Sequence, residues 1–585
     1  MRLPNLLATP RGRLAAFFFL YVTEGIPLGF AATAVATQLR RQDVGPAEIG
    51  AFVGSFYLPW AFKWAFGPFI DVFASDRWGR RRGWIIAMQV LMALTLMSTV
   101  MLKLPEQLAL FTAVLLLHNT FGAMQDVAID ALAVNTLAEH ERGLANGLMF
   151  AGAAVGQAVG GSGVLFLSAY TGFQPTFFFV AGAILAVTLF IALPMREVPS
   201  GVRPVVEGVS RWLSAAREMR GFAVESFRSF LGTRGAYLGL AFALLPSGAM
   251  CLGLALQSNL AVELGLDDNQ VATLNLWSGI IQAGFMVVGG MLSDRYGRRR
   301  TLAVYIALMS VPVLYLMMEL QKYGWVMPVS QSSGANRLAV EPALVMALWI
   351  ATLTYSVALG LMYGTRSAIF MDVTNPAVAA TQFTAYMALL NLSIAYSAMW
   401  QGIAIEALGY PDTMLIDAIV GLACLALLPW MRTVAGNRAD GGAPMRARVS
   451  ALILGLACIA WLPYRLGQSA LGAAAPIFET LFTVVFIASA LFLLASAAVL
   501  AGTSRALVRA GAWMALLLFL MYARRWTGNL GGAAAQLAQG LVLAVPVVAG
   551  LMLLALAARA WRELNGAAAE APGGAVLPQT SASIR

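Results

Sequence analysis

Gly290-Met-Leu-Ser-Asp-Arg-Tyr-Gly-Arg-Arg299 lies between two apolar runs in the second half of the chain, and its parts return in the first half as Gly67-Pro-Phe-Ile-Asp71 and, after an insertion, Gly79-Arg-Arg-Arg82. An arginine-rich connection recurring at one place in two sets of apolar runs marks an internal repeat. Apolar runs of about 20 residues, the length that crosses a bilayer, fall near 13–38, 48–70, 84–101, 107–131, 143–168 and 175–195. A second set falls near 235–261, 268–293, 301–319, 343–370, 380–405 and 413–432. Each set has six spans.

Composition agrees with this reading. The chain has 585 residues, of which 60% are hydrophobic and 11% charged, and its mean hydropathy is +0.76. That is an integral membrane chain. Its formal charge of +10 sits on arginines in short connections, which reads as membrane topology and anionic-lipid contact and not as a nucleic-acid surface. Cys251, Cys424 and Cys458 fall in apolar runs at unrelated spacings, so neither a disulfide framework nor a metal cluster is indicated. Arg77 to Arg82, Arg142, the central connection, Arg295 to Arg300 and Arg432 to Arg448 would share one side of the membrane, which the positive-inside rule makes cytoplasmic. Both termini then lie inside.

The chain is expected to divide into a six-helix bundle over 1–195, a connection over 196–234, a second bundle over 235–432, additional spans over 433–565 and a disordered tail over 566–585. Arg203, Arg211, Arg217, Arg220 and Arg228 make the connection polar, and Trp212 to Phe230 reads as an amphipathic surface helix. Beyond Ser450, apolar runs near 451–464, 476–500, 507–523 and 535–558 suggest four more spans, with two of them as a re-entrant pair the alternative.

The loop 290–299 matches the Gly-x-Leu-x-Asp-Arg-x-Gly-Arg-Arg motif of the major facilitator superfamily. Further stretches resemble its branch of AmpG-like muropeptide permeases and acetyl-CoA transporters. They are Gly25-Ile-Pro-Leu-Gly-Phe30, the run from Phe56 to Asp71, Gly79-Arg-Arg-Arg-Gly-Trp84, Gln125-Asp-Val-Ala-Ile-Asp130, Glu141-Arg-Gly143 and Ala380-Thr-Gln-Phe383. The resemblance covers roughly residues 13–432 and departs at Glu24, in the less similar second half and in the long extension. It implies an all-α polytopic membrane protein with the major facilitator fold. That fold has two six-helix bundles with pseudo-twofold symmetry, here with extra C-terminal transmembrane helices, and the first and fourth spans of each bundle line a central cavity. It also implies proton-linked import of cell-wall fragments across an inner membrane, with no cofactor, H+ as coupling ion and a sugar–peptide or other amphiphile as substrate. A monomer in the bilayer is expected, with no nucleic-acid partner.

The chemistry is expected on His118-Asn-Thr-Phe-Gly-Ala-Met-Gln-Asp-Val-Ala-Ile-Asp130. At 100° per residue, Asn119 and Asp126 lie within about 20° of each other and Asp130 about 40° further on, one stripe of a helix. A carboxylate at membrane depth costs roughly 2.5–3.5 kcal/mol on insertion scales, so such a stripe faces protein or water. Glu24, beside Gly25 and Pro27, Asp126, Asp130 and His118 are the proton-coupling candidates. Lys63, too deep to snorkel, should pair with Glu24, Asp126 or an anionic substrate. With Asn119, Gln125, Arg366, Trp60, Tyr363 and Trp277 it makes up the candidate cavity, to which Trp64 and Tyr355 are also assigned. Aligning Ala128-Ile129 with Ala368-Ile369 sets Asp126 against Arg366, as an inner gate or, alternatively, with Arg366 on a substrate carboxylate. For the loops, Asp71, Gly79, Arg80, Arg81, Asp294, Arg295, Gly297, Arg298 and Arg299 are expected to bond neighbouring helix ends in one conformation and release them in another.

No zinc-type histidine pair, nucleophile elbow or phosphate loop stands in the sequence, which argues against an enzyme. A secondary transporter accounts for repeat, loops and buried charges together. Import of anhydro-muropeptides leads, with a siderophore or another amphiphile, or a transporter-like sensor, as the alternatives.

Overall fold

The computed structural model describes residues 5–73, 77–137, 142–197, 210–330, 340–374, 379–431, 440–500, 504–527, 533–561 and 564. Eleven of its helices are long and apolar enough to cross a membrane by length and composition. A helix satisfies its own backbone polar groups, which is what a bilayer demands.

The first bundle holds α1 (Pro10–Arg41), α2 (Pro46–Ala61), α3 (Phe66–Val72), α4 (Arg82–Thr99), α5 (Leu108–Thr136), α6 (Gly147–Thr171) and α7 (Thr176–Ala192). A connecting helix, α8 (Arg211–Gly232), leads to α9 (Arg234–Leu244), α10 (Ala255–Glu263), α11 (Asp268–Tyr296), α12 (Arg298–Lys322), α13 (Pro342–Val373), α14 (Ala379–Leu408) and α15 (Tyr410–Leu422). The extension is α16 (Ala443–Gly467), α17 (Ala475–Val499), α18 (Ser504–Thr527) and α19 (Ala533–Ala558).

Two expected spans are broken. The second splits into α2 and α3 around a tight 3-10 turn, Lys63–Ala65, four residues after Pro59 inside α2. The seventh, expected unbroken over 235–261, opens between α9 and α10, where Pro246 lacks an N–H and Gly248 takes φ +98°. Asp417 of α15 repairs the gap, accepting from the N–H of Met250 at 2.7 Å and of Cys251 at 2.9 Å. A kink at Gly472, φ 51°, separates α16 from α17.

Packing within the first bundle rests on glycine. A Cβ on Gly25 would lie 2.0 Å from the Ala153 carbonyl oxygen, and one on Gly160 would lie 1.9 Å from that of Ile26. Gly156, on the same seam between α1 and α6, would put its Cβ 2.2 Å from the Val22 oxygen. Backbone cannot yield as a side chain does, so Gly156→Ala should cost about 1–3 kcal/mol, and Gly156→Leu should leave no monodisperse protein. Size-exclusion profiles and melting temperatures in detergent measure this; an unchanged melting temperature for the alanine variant would mean that the seam is loose.

α8 is the expected amphipathic helix, and its aromatics bridge. Phe222 stacks on Trp64 at 5.8 Å, Trp212 meets Phe69 and Phe73, and Phe227 packs on Phe492 and Trp561. The extension has a core of its own around Trp461, Phe486 and Met514. It also reaches the seam between the two bundles, where Ile487, Leu491 and Leu518 join Leu58, Ala61 and Phe62 of the first with Leu244, Leu389 and Leu392 of the second. The tail over 566–585, Arg203 and the side chains of Asp71, Arg142, Arg211, Arg524 and Arg525 lie outside the described residues.

Candidate functional site

The expected stripe on α5 is buried, and two neighbouring helices bring charge to it. Lys63 is at the 3-10 turn between α2 and α3, from which it reaches Asp126: Nζ lies 3.0 Å from Oδ2, with the side chains 14% and 3% exposed. Tyr21 of α1 donates to Asp130 Oδ1 at 2.5 Å. One turn along α1, Glu24 is within electrostatic reach of Asp126, Lys63 and Asp130, and its Oε2 is buried without a hydrogen-bond partner. Three carboxyl groups therefore share one ammonium group. α1 is loosened beside them, with Pro27 inside it and a wide π-helical turn, Phe30–Val35, following.

Other expected members serve the bundle itself. His118 Nδ1 meets the Met92 carbonyl at 2.8 Å, so that nitrogen carries the proton and donates. Asn119 donates to the Phe56 carbonyl. Gln125 Nε2 donates to Thr23 Oγ1 at 2.8 Å, and the same hydroxyl receives Gln89 Nε2 at 3.2 Å. Trp60 is half-buried with its ring against Gly122. Trp64 is taken up by α8, and Tyr355 is buried with its hydroxyl on the Ala249 carbonyl at 2.9 Å. Trp277, 52% exposed on α11, stands apart from the charged cluster.

Asp126 and Arg366 are not paired in this structure, whose closed face is the one opposite the arginine loops, the state in which the expected inner gate stands apart. Asp126 has the nearer Lys63, whereas the Arg366 guanidinium lies 4.4 Å over the ring of Tyr363 one turn earlier on α13. Sequence symmetry matches positions along two helices but does not choose between partners, and Lys63 competes from within the same bundle.

In the loops, Arg298 pairs with Asp294 at 3.1 Å and with Asp372, at the end of α13, at 2.6 Å. Gly297 alone separates α11 from α12 at φ +93°, a conformation that favours glycine, and Gly79 takes φ +88°. Arg295 lies over the ring of Tyr296, Arg299 is exposed, and Arg80 is half-buried. In the first bundle Glu197 holds the loop, accepting from the N–H groups of Arg81, at 2.9 Å, and Arg82.

The face opposite the arginine loops carries a cluster that the sequence reading missed. Arg40, at the end of α1, pairs with Glu263, at the end of α10, at 2.7 Å, with side chains 3% and 0% exposed. Glu263 also accepts from Tyr410 OH at 2.6 Å and Val329 N–H at 3.1 Å, and Arg40 donates to the carbonyls of Val44 and Val329. Arg41 pairs with Asp268 at 2.6 Å, and Ser330 donates to Asp43. These contacts close one face between the bundles. A signal was available, since the first spans of the two halves end on opposite charges.

The match to the Major Facilitator Superfamily model covers residues 14–251. The anhydromuropeptide permease of Escherichia coli K12 is 23% identical over 421 residues, 71% of this chain and 79% of that protein. A putative transporter, AmpG 4, of Rickettsia conorii is 26% identical over 301 residues, 50% of this chain and 70% of that protein. Among solved structures, the inward-open xylose transporter XylE from E. coli shares the fold at a TM-score of 0.54 and 14% identity, over 74% of this chain and 98% of its own. Paired six-helix bundles and a recurring arginine loop give the chain the major facilitator fold, the superfamily's model matches it over residues 14–251, and its sequence resembles the AmpG-like branch.

Proposed function

We propose that the protein is a proton-coupled importer of cell-wall-derived muropeptides, working by alternating access in an inner membrane with its arginine-rich face and both termini in the cytoplasm. The observation that carries the coupling is the cluster of Glu24, Asp126, Asp130 and Lys63. One ammonium neutralises one carboxylate, and Asp130 has the Tyr21 hydroxyl, so Glu24 is the acid with an unsatisfied oxygen at membrane depth. A group placed so gains most from taking a proton in one conformation and releasing it in another. The likeness to the E. coli anhydromuropeptide permease supports the substrate class.

Glu24→Gln tests this. The amide keeps shape and one acceptor but cannot cycle a proton. In proteoliposomes the variant should retain counterflow of a labelled anhydro-muropeptide while accumulation driven by a proton gradient falls at least tenfold. Accumulation at the wild-type level would remove Glu24 from coupling. Gradient-driven uptake of a siderophore in place of the muropeptide would redirect the substrate assignment and leave the coupling intact.

A further inference from the structure

Arg366 is a buried cation in want of an acceptor. It is 4% exposed, about three-quarters of the way along α13, and its Nε and Nη1 are buried without a hydrogen-bond partner. No carboxylate among the described residues lies within ion-pair distance of it, whereas Lys63 has Asp126 and Arg40 has Glu263. Tyr363 faces the flat of the guanidinium at 4.4 Å, which satisfies the π-face and leaves the N–H edge open. Arginine cannot shed its charge in a protein, so the site keeps a positive centre at membrane depth. The group also stands where the bundles face each other, since Tyr363 is within electrostatic reach of Tyr57 on α2.

We infer that Arg366, backed by Tyr363, is the anchor for a carboxylate of the transported molecule, an inference that rests on the transport reading above. A planar fork of N–H donors fits a carboxylate with two parallel bonds. A single cation, with Lys63 already committed to Asp126, suits a singly charged carboxylate better than a phosphate, which calls for further positive groups. The substrate class is then an amphiphile with one carboxylate held in the second bundle, away from the proton-handling carboxyls of the first, so that the two charges of a symport cycle do not compete for one partner.

The experiment compares anhydro-N-acetylmuramyl-L-alanine with its C-terminal amide, by binding to the purified protein in nanodiscs and by uptake. The wild type should bind the acid at least tenfold more tightly than the amide. Arg366→Gln should erase the preference, weakening the acid by at least tenfold and the amide by less, and Arg366→Lys, which keeps the charge without the fork, should retain part of it. Equal or absent binding of acid and amide by the wild type overturns the inference. So does a preference that survives Arg366→Gln, or one lost in Asp126→Asn and kept in Arg366→Gln. Should Arg366→Gln fail to fold, Arg366→Lys with full wild-type discrimination overturns it as well. Proton-driven accumulation is read separately: its loss for both probes in the wild type refutes the transport reading, whereas accumulation without acid preference refutes only the anchor.

Discussion

Lys63→Met should abolish accumulation and lower the melting temperature sharply, while Lys63→Met with Asp126→Asn should recover much of the stability and none of the transport. The pair is buried at 3.0 Å, and removing one partner of a buried pair typically costs about 3–5 kcal/mol because the other charge is stranded. Here the cost falls unequally. Without Lys63, three carboxyl groups face each other with no cation, since Glu24 and Asp130 share its field with Asp126. Without Asp126, Lys63 still has Glu24 and Asp130 nearby. Asp126→Asn should therefore be the milder single change in stability, and the double variant should melt above Lys63→Met. Melting curves of purified protein, with gradient-driven uptake beside them, give the comparison. Equal melting temperatures for the two single variants would mean that the pair is isolated from the rest of the cluster.

How far the sequence led depends on what each residue answers to. Helix placement was legible because a bilayer leaves the backbone one solution, and the extension resolved into the four expected helices. The break in the seventh span was missed although Pro246 and Gly248 stand in the sequence there, and its repair by Asp417 had no local signal, because that carboxylate comes from α15, more than 160 residues away. The acids on α5 and Glu24 were legible as deep charge in apolar runs. Partner choice was not: His118, Asn119 and Gln125 carry polar groups on that same helix, and only the packing shows that they bond Met92, Phe56 and Thr23. Arg40 and Glu263 were hidden by their positions at the ends of spans, where charge is expected and read as solvated.

Those two residues carry the last large effect. Glu263→Gln should open the face opposite the arginine loops, raise maleimide labelling of a cysteine placed at Val44, buried there at 5% exposure, and slow turnover tenfold or more. The lock is more than one ion pair. Glu263 accepts from Arg40, Tyr410 and Val329, and Arg40 donates onward to two carbonyls, so one substitution unsettles the ends of α1, α10 and α15 together. At about 3–5 kcal/mol for a broken buried pair, with each 1.4 kcal/mol worth about tenfold in an equilibrium, closure of that face would weaken by roughly two to three and a half orders of magnitude. A second contact of the same face limits the gain in opening. α2 and α14 meet through glycine, where a Cβ on Gly402 would lie 2.3 Å from the Pro46 carbonyl and one on Gly50 2.4 Å from that of Ala398. Gly402→Val should therefore wedge the face apart with its charges intact and raise labelling in the same way, and the two changes together should label most. Exchanging the charges, Arg40→Glu with Glu263→Arg, should fail to rescue turnover. The backbone carbonyls of Val44 and Val329 require a donor at position 40, and the Val329 N–H requires an acceptor at 263. Rescue by the exchange would mean that the attraction alone holds the face shut and that its backbone bonds are incidental. Unchanged labelling in both Glu263→Gln and Gly402→Val would mean that this face is closed by contacts elsewhere.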